Sequence, residues 1–133
     1  MTSFIAIVLV GILGRSDAVL LLAIALLLLF TAELALKKDG TMLGIKDKII
    51  ADMGSTYTVD HSIMAAALYM TGVYQIQNYA VDAFGVSTNK TTHGSLRGIG
   101  KADASYVLER LVDIVARELK LDPIDIRLKN FIP

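Results

Sequence analysis

Apolar residues follow two regimes along this chain. Phe4 to Leu13 is apolar apart from Gly11, Gly14-Arg15-Ser16-Asp17 interrupts, and Ala18 to Phe30 is again apolar without a break. From Thr31 onward polar and apolar residues alternate as in ordinary soluble protein. Each apolar arm is roughly a dozen residues, short of the ~20 a helix needs to cross a bilayer core. Together they are long enough, but Arg15 and Asp17 would then lie near the membrane centre, at about 2.5–3.5 kcal/mol each. Met1-Thr2-Ser3 lacks the basic residue of a signal sequence, and no small-x-small cleavage site follows Phe30. A helix apolar all round is otherwise a buried one. The pattern therefore predicts an apolar N-terminal helix over residues 4–30. Four origins stay open for it: a membrane-inserted segment, a buried helix, a signal sequence, or the product of a gene fusion, frameshift or mis-called start. If it inserts, Lys37-Lys38 favours a cytoplasmic C-terminal part.

The remainder reads element by element. Asp39-Gly40 separates Glu33–Lys38 from Met42–Asp52, a hairpin signal because Gly accepts the positive φ of a tight turn. In the second run Ile45, Ile49 and Ala51 share one face and Lys46 and Lys48 the other, with Asp47 breaking the pattern. Ile63 to Met70 is rich in Ala and Met and predicts a short helix or an irregular buried stretch. Tyr74 to Ser87 carries β-branched and aromatic residues in loose alternation, for one long strand or two short ones. Thr88 to Lys101 is Gly-, Thr- and Ser-rich, a loop long enough to be functional or disordered.

An amphipathic helix follows over Asp103–Leu119, with Leu108, Leu111, Val112, Val115 and Leu119 on its apolar face. On its polar side Glu109 and Asp113 are a like-charge pair, and Asp113 and Arg117 a favourable one. Asp122-Pro123 starts a second helix, Asp as cap and Pro at the first helical position, running to about Lys129. The order β-β-(α)-β-loop-α-α is an α/β or α+β fragment, with too few strands to close its own sheet.

Composition narrows the function. At 133 residues there is one domain at most. Thirteen basic and thirteen acidic side chains balance, so no basic field points to nucleic acid. The absence of cysteine excludes disulfides and iron–sulfur ligation within this chain. Its two histidines, His61 and His93, are too far apart to share a helix face as metal ligands.

Five motifs stand in order in the second half: Thr88-Asn89-Lys90; Leu96-Arg97-Gly98-Ile99-Gly100-Lys101; Glu109-Arg110-Leu111-Val112-Asp113; Asp122-Pro123; and Ile126-Arg127-Leu128-Lys129-Asn130. Together they resemble the molybdopterin-binding large subunit of the xanthine dehydrogenase, aldehyde oxidase and carbon-monoxide dehydrogenase family. A weaker match extends back through Tyr74–Asn78, Ala51-Asp52-Met53-Gly54 and the Lys38-Asp39-Gly40 turn. Departures are mild: Leu96 stands for the family's Tyr, Lys101 for Arg, Ala102 for Pro, Asp103 for Glu and Gln77 for Pro. The resemblance divides the chain into residues 1–31, outside the family pattern, and residues 32–133, a partial molybdopterin-binding domain.

That resemblance implies a molybdenum–molybdopterin cofactor, with iron–sulfur and flavin groups on partner subunits and the rest of the large subunit as a further partner. It implies oxidation of an electron-poor carbon in an aldehyde or N-heterocycle. Arg97, Gly98, Ile99 and Gly100 are the residues it places beside the cofactor and the substrate pocket. Glycines let backbone approach a ligand closely, and backbone amides with a guanidinium suit oxyanionic or metal-oxo atoms. Read without the resemblance, Gly-x-Gly is a plain turn, Arg97 a surface ion-pair partner and Asn130 a helix cap. The family's glutamate base lies further on than Pro133, so no catalytic residue and no protein metal ligand is expected within this chain. The copper–molybdenum enzymes carry Cys directly after the loop arginine. Gly98 in that place favours aldehyde or heterocycle oxidation over that of carbon monoxide. The reading is a large-subunit fragment, inactive alone, cytoplasmic or membrane-associated. The alternative is a small membrane-associated protein with a non-catalytic remnant domain.

Overall fold

The structure, a computed structural model, describes residues 6–11, 28–55, 61–92 and 97–133. Strands β1 (Ala6–Gly11), β2 (Leu28–Leu36), β3 (Met42–Gly54) and β4 (Asn78–Ser87) form one sheet in that order. The first three are antiparallel, and β4 runs parallel to β3. A parallel neighbour needs a long crossover, and here it contains helix α1 (His61–Tyr69). Helices α2 (Lys101–Leu119) and α3 (Pro123–Asn130) complete an α+β arrangement.

The hairpin forms where Asp39-Gly40 predicts it. Gly40 takes φ 83°, its N–H donates to Lys37 O at 3.0 Å, and Thr41 N–H donates to Asp39 Oδ1 at 3.1 Å. Alternation then sorts the two strands. Phe30, Ala32, Leu34 and Leu36 of β2 are buried, as are Ile45, Asp47, Ile49, Ala51 and Met53 of β3. The α2 face built from Leu108, Leu111, Val112 and Val115 is buried in the same core, with Leu119 packed at its margin. Asp47 thus keeps the alternation instead of breaking it, and a carboxylate points into the core.

The apolar helix expected over residues 4–30 needs correction at both of its described ends, which are strands. Leu28–Phe30 continue β2 because Ile49, Ile50 and Ala51 of β3 stand opposite with backbone groups to pair. Ala6–Gly11 pairs in turn with Thr31–Leu36. A continuous apolar run has no period of its own, so an available sheet edge decides its conformation. Residues 4–5 and 12–27, the rest of that expectation, lie outside the described residues. Among the described residues no helix is long and apolar enough to cross a membrane.

The two C-terminal helices are fixed by the capping chemistry that their sequence announces. Asp122 Oδ1 accepts from Ile124 N–H at 2.6 Å, and Pro123 opens α3. Lys120 turns the chain between them with φ 56°. Arg127 of α3 reaches back to α2, 2.8 Å from Glu109 Oε2 and 2.9 Å from Asp113 Oδ1. It offsets the like-charge pair, while among the described residues Arg117 bonds the Asp113 carbonyl, at 3.3 Å, and not its carboxylate. Tyr74 joins the cluster by donating to Glu109 Oε1 at 2.8 Å and stacking on Phe131.

Candidate functional site

Because β3 and β4 are parallel, their carboxyl ends lie together at Gly54 and Ser87. In open sheets that edge is where ligands usually bind. Asp52, near the end of β3, accepts from Gly54 N–H at 3.0 Å and from the Thr88 hydroxyl at 2.5 Å, and pairs with Lys90 Nζ at 2.6 Å. Lys90, with Thr88 and Gly54, holds the Asp52 carboxyl well below the usual carboxylate range. Backbone bonds from Ser55 N–H to Lys90 O and from Thr88 N–H to Gly54 O complete the junction. Gly54 has φ 72°, and a Cβ there would lie 2.7 Å from Thr91 O. The Thr88-Asn89-Lys90 motif is therefore a strap stitched to the end of β3. Sequence reasoning matched Asp52 only as part of a weak motif. Its role follows once Thr88 and Lys90 are brought beside it by the parallel register.

Residues 93–96, which include His93 and Leu96, lie outside the described residues. The chain re-enters at Arg97 and turns into α2, with Lys101 N–H donating to Gly98 O at 2.8 Å. The four predicted residues fall in one turn but have unlike surroundings. Arg97 and Gly98 are exposed, Ile99 is half-buried and Gly100 is buried. Gly98 has φ 106°, and a Cβ there would meet nothing within 4 Å. Gly100, at φ 67°, is covered by α1: a Cβ on it would collide with Ser62 O and lie 2.7 Å from Ala66 N. One glycine allows an open turn, and the other admits a helix.

Among the described residues Arg97 makes no hydrogen bond or ion pair. Gly100 caps α2 without a side-chain hydrogen bond, so the positive end of that 19-residue helix lies beside the turn. Lys101 adds charge nearby, its Nζ 4.3 Å from the centre of the Tyr69 ring. Burial raises the Asp103 carboxyl above its ordinary value, with its own amide opposing the shift. Among the described residues no three acidic, His or Cys side chains gather to hold a metal ion. Among the described residues the turn offers an exposed guanidinium, amide donors and open space at Gly98.

Comparison with known proteins gives the chain a family. The family model described as molybdopterin cofactor-binding domain matches residues 12–131. The carbon monoxide dehydrogenase large chain of Hydrogenophaga pseudoflava is 35% identical over 105 residues, 75% of this chain and 13% of that protein. The nicotinate dehydrogenase large molybdopterin subunit of Eubacterium barkeri is 33% identical over 94 residues, 70% of this chain and 22% of that subunit. The aldehyde oxidoreductase of Desulfovibrio gigas superposes with a TM-score of 0.76 at 27% identity, over 80% of this chain and 12% of that one. This chain thus spans less than a quarter of the length of each of these relatives. It belongs to the molybdopterin cofactor-binding domain family of the molybdenum hydroxylase large subunits.

Proposed function

We propose that residues 32–133 act as part of a molybdenum hydroxylase large subunit, an oxidoreductase for aldehydes or N-heterocycles, and that Arg97–Gly100 form one wall of its cofactor and substrate pocket. The single observation that carries this is the pairing of Arg97, exposed and unpaired among the described residues, with the open left-handed turn at Gly98. Bound there, molybdenum–molybdopterin supplies the oxidation of an electron-poor carbon. Of this chain, the Arg97 guanidinium and the amides of Gly98 and Ile99 suit its anionic oxygens. Asp52 ties the Thr88–Lys90 strap to the end of β3.

The chain acts when the rest of a large subunit and the iron–sulfur and flavin subunits join it. One turn cannot replace the several loops that enclose a pterin, so the chain purified alone carries no molybdenum by elemental analysis; stoichiometric metal refutes this reading. In an assembled enzyme Arg97→Ala keeps molybdenum and slows turnover about 10²–10³-fold, the usual effect of losing one preorganised donor. Gly98→Val blocks backbone approach and lowers molybdenum content itself. Wild-type turnover and metal content in Arg97→Ala would reduce the loop to a structural turn. Gly98 in place of the copper–molybdenum enzymes' cysteine supports an organic substrate, although carbon monoxide dehydrogenase large chains are among the relatives.

A further inference from the structure

The helices pack on one face of the sheet, and the other face is divided. On that open face Leu29 of β2, Ile50 of β3 and Phe84 of β4 stand side by side in register, and Val86 lies one pleat further along β4. Leu29 is 62% exposed, Phe84 50% and Val86 44%. A solvated sheet face is normally polar, and the neighbouring rows obey that rule with Glu33 opposite Lys46 and Lys48 opposite Asp82. An apolar row running across three strands is out of place in water and marks a contact surface. Its position is informative. It lies at the carboxyl ends of β3 and β4, and Asp52, which anchors the strap, alternates onto the same face as Ile50.

We infer that this apolar row is the surface on which the remainder of a molybdopterin large subunit docks. The inference rests on the assembly reading above and adds the face through which assembly occurs. The occupant follows from two observations. Relatives carry several times more polypeptide than this chain, which covers 13% of the Hydrogenophaga pseudoflava chain. The row also lies at the strand ends to which the Asp52–Lys90 strap is tied, on the face opposite the one where α1 meets the Gly100 turn, so a body seated there backs the sheet behind the candidate site. That body presents an apolar centre to Leu29, Ile50 and Phe84, with polar groups at its rim towards Lys46 and Asp82.

The test is co-expression of the full chain with the Hydrogenophaga pseudoflava carbon monoxide dehydrogenase large chain from which the matched 105-residue segment has been deleted. The wild-type chain co-purifies with it. Phe84→Glu cuts recovery at least tenfold while leaving the melting temperature of the isolated chain unchanged, since the site is half-exposed. Leu128→Glu, a control on the outer side of α3, leaves recovery intact. Undiminished recovery with Phe84→Glu, or equal loss with Leu128→Glu, overturns the docking face and spares the assembly reading. A wild-type chain that recovers no partner overturns both. If light scattering finds a dimer that Phe84→Glu dissociates without affecting partner uptake, the row is a self-interface and the inference falls.

Discussion

Asp47 and Asn130 are the polar side chains buried in the described core, and their circumstances are opposite. Asn130 spends its whole amide: Oδ1 accepts from Met42 N–H at 2.8 Å, and Nδ2 donates to Gly40 O at 2.9 Å and Ile126 O at 2.8 Å. Among the described residues neither Asp47 carboxyl oxygen has a hydrogen-bond partner. Burial pushes its carboxyl up to about 6, with the nearby Lys48 amide offsetting a small part. An acid with a raised native pKa stabilises the fold below its unfolded value, near 4. That stability is lost as pH rises through about 6. Asp47→Val, a β-branched replacement between Ala32 and Val81 in the register, removes an unpartnered buried carboxyl and should stabilise modestly even at pH 4, where that group is protonated in the fold. At pH 7.5 it should stabilise by about 2–3 kcal/mol more in urea titrations; equal effects at both pH values would refute the account. Gly98 and Gly100 separate in the same way. Alanine at Gly98 pays only for its positive φ, about 1–2 kcal/mol, whereas alanine at Gly100 must also displace α1. Thermal melts should rank Gly100→Ala as clearly the less stable of the two.

At the scale of elements, chemistry with a local cause was legible in advance. The Asp39-Gly40 turn, the apolar face of α2 and the Asp122-Pro123 cap each depend on residues within one turn or one strand. What escaped prediction depended on partners distant in sequence. Leu28–Phe30 became strand because β3 lies beside them. Glu109 and Asp113 pass for a solvated helix face until Tyr74 and Arg127 arrive from elsewhere. The loop residues were located by motif, but nothing local distinguishes the glycine that opens the turn from the one that seats α1. The clamp on α2 has a measurable strength. Arg127→Ala removes both ion pairs and leaves two like charges one helical turn apart. A loss of about 1–2 kcal/mol is expected, limited by the partial exposure of both acids. Screening should shrink that loss as salt rises. A salt-independent loss would assign the effect to the packing of the arginine stem instead.

Among the described residues one layer of helices lies on a mixed sheet whose other face carries exposed side chains and whose β4 edge has no strand partner. The strap is tied to the end of β3, and Gly100 of the candidate turn is seated against α1 on the covered face. Asn130 also bears on how such a chain can be made. Its bonds join residues 88 and 90 positions apart, so the hairpin at the beginning of the described domain gains its last partner only after α3 has been synthesised. A chain emerging from the ribosome at about 5–20 residues per second holds β2 and β3 for several seconds without that lock. Contacts of such long sequence separation slow folding, and the apolar strands stay available to chaperones or to neighbouring nascent chains throughout that interval.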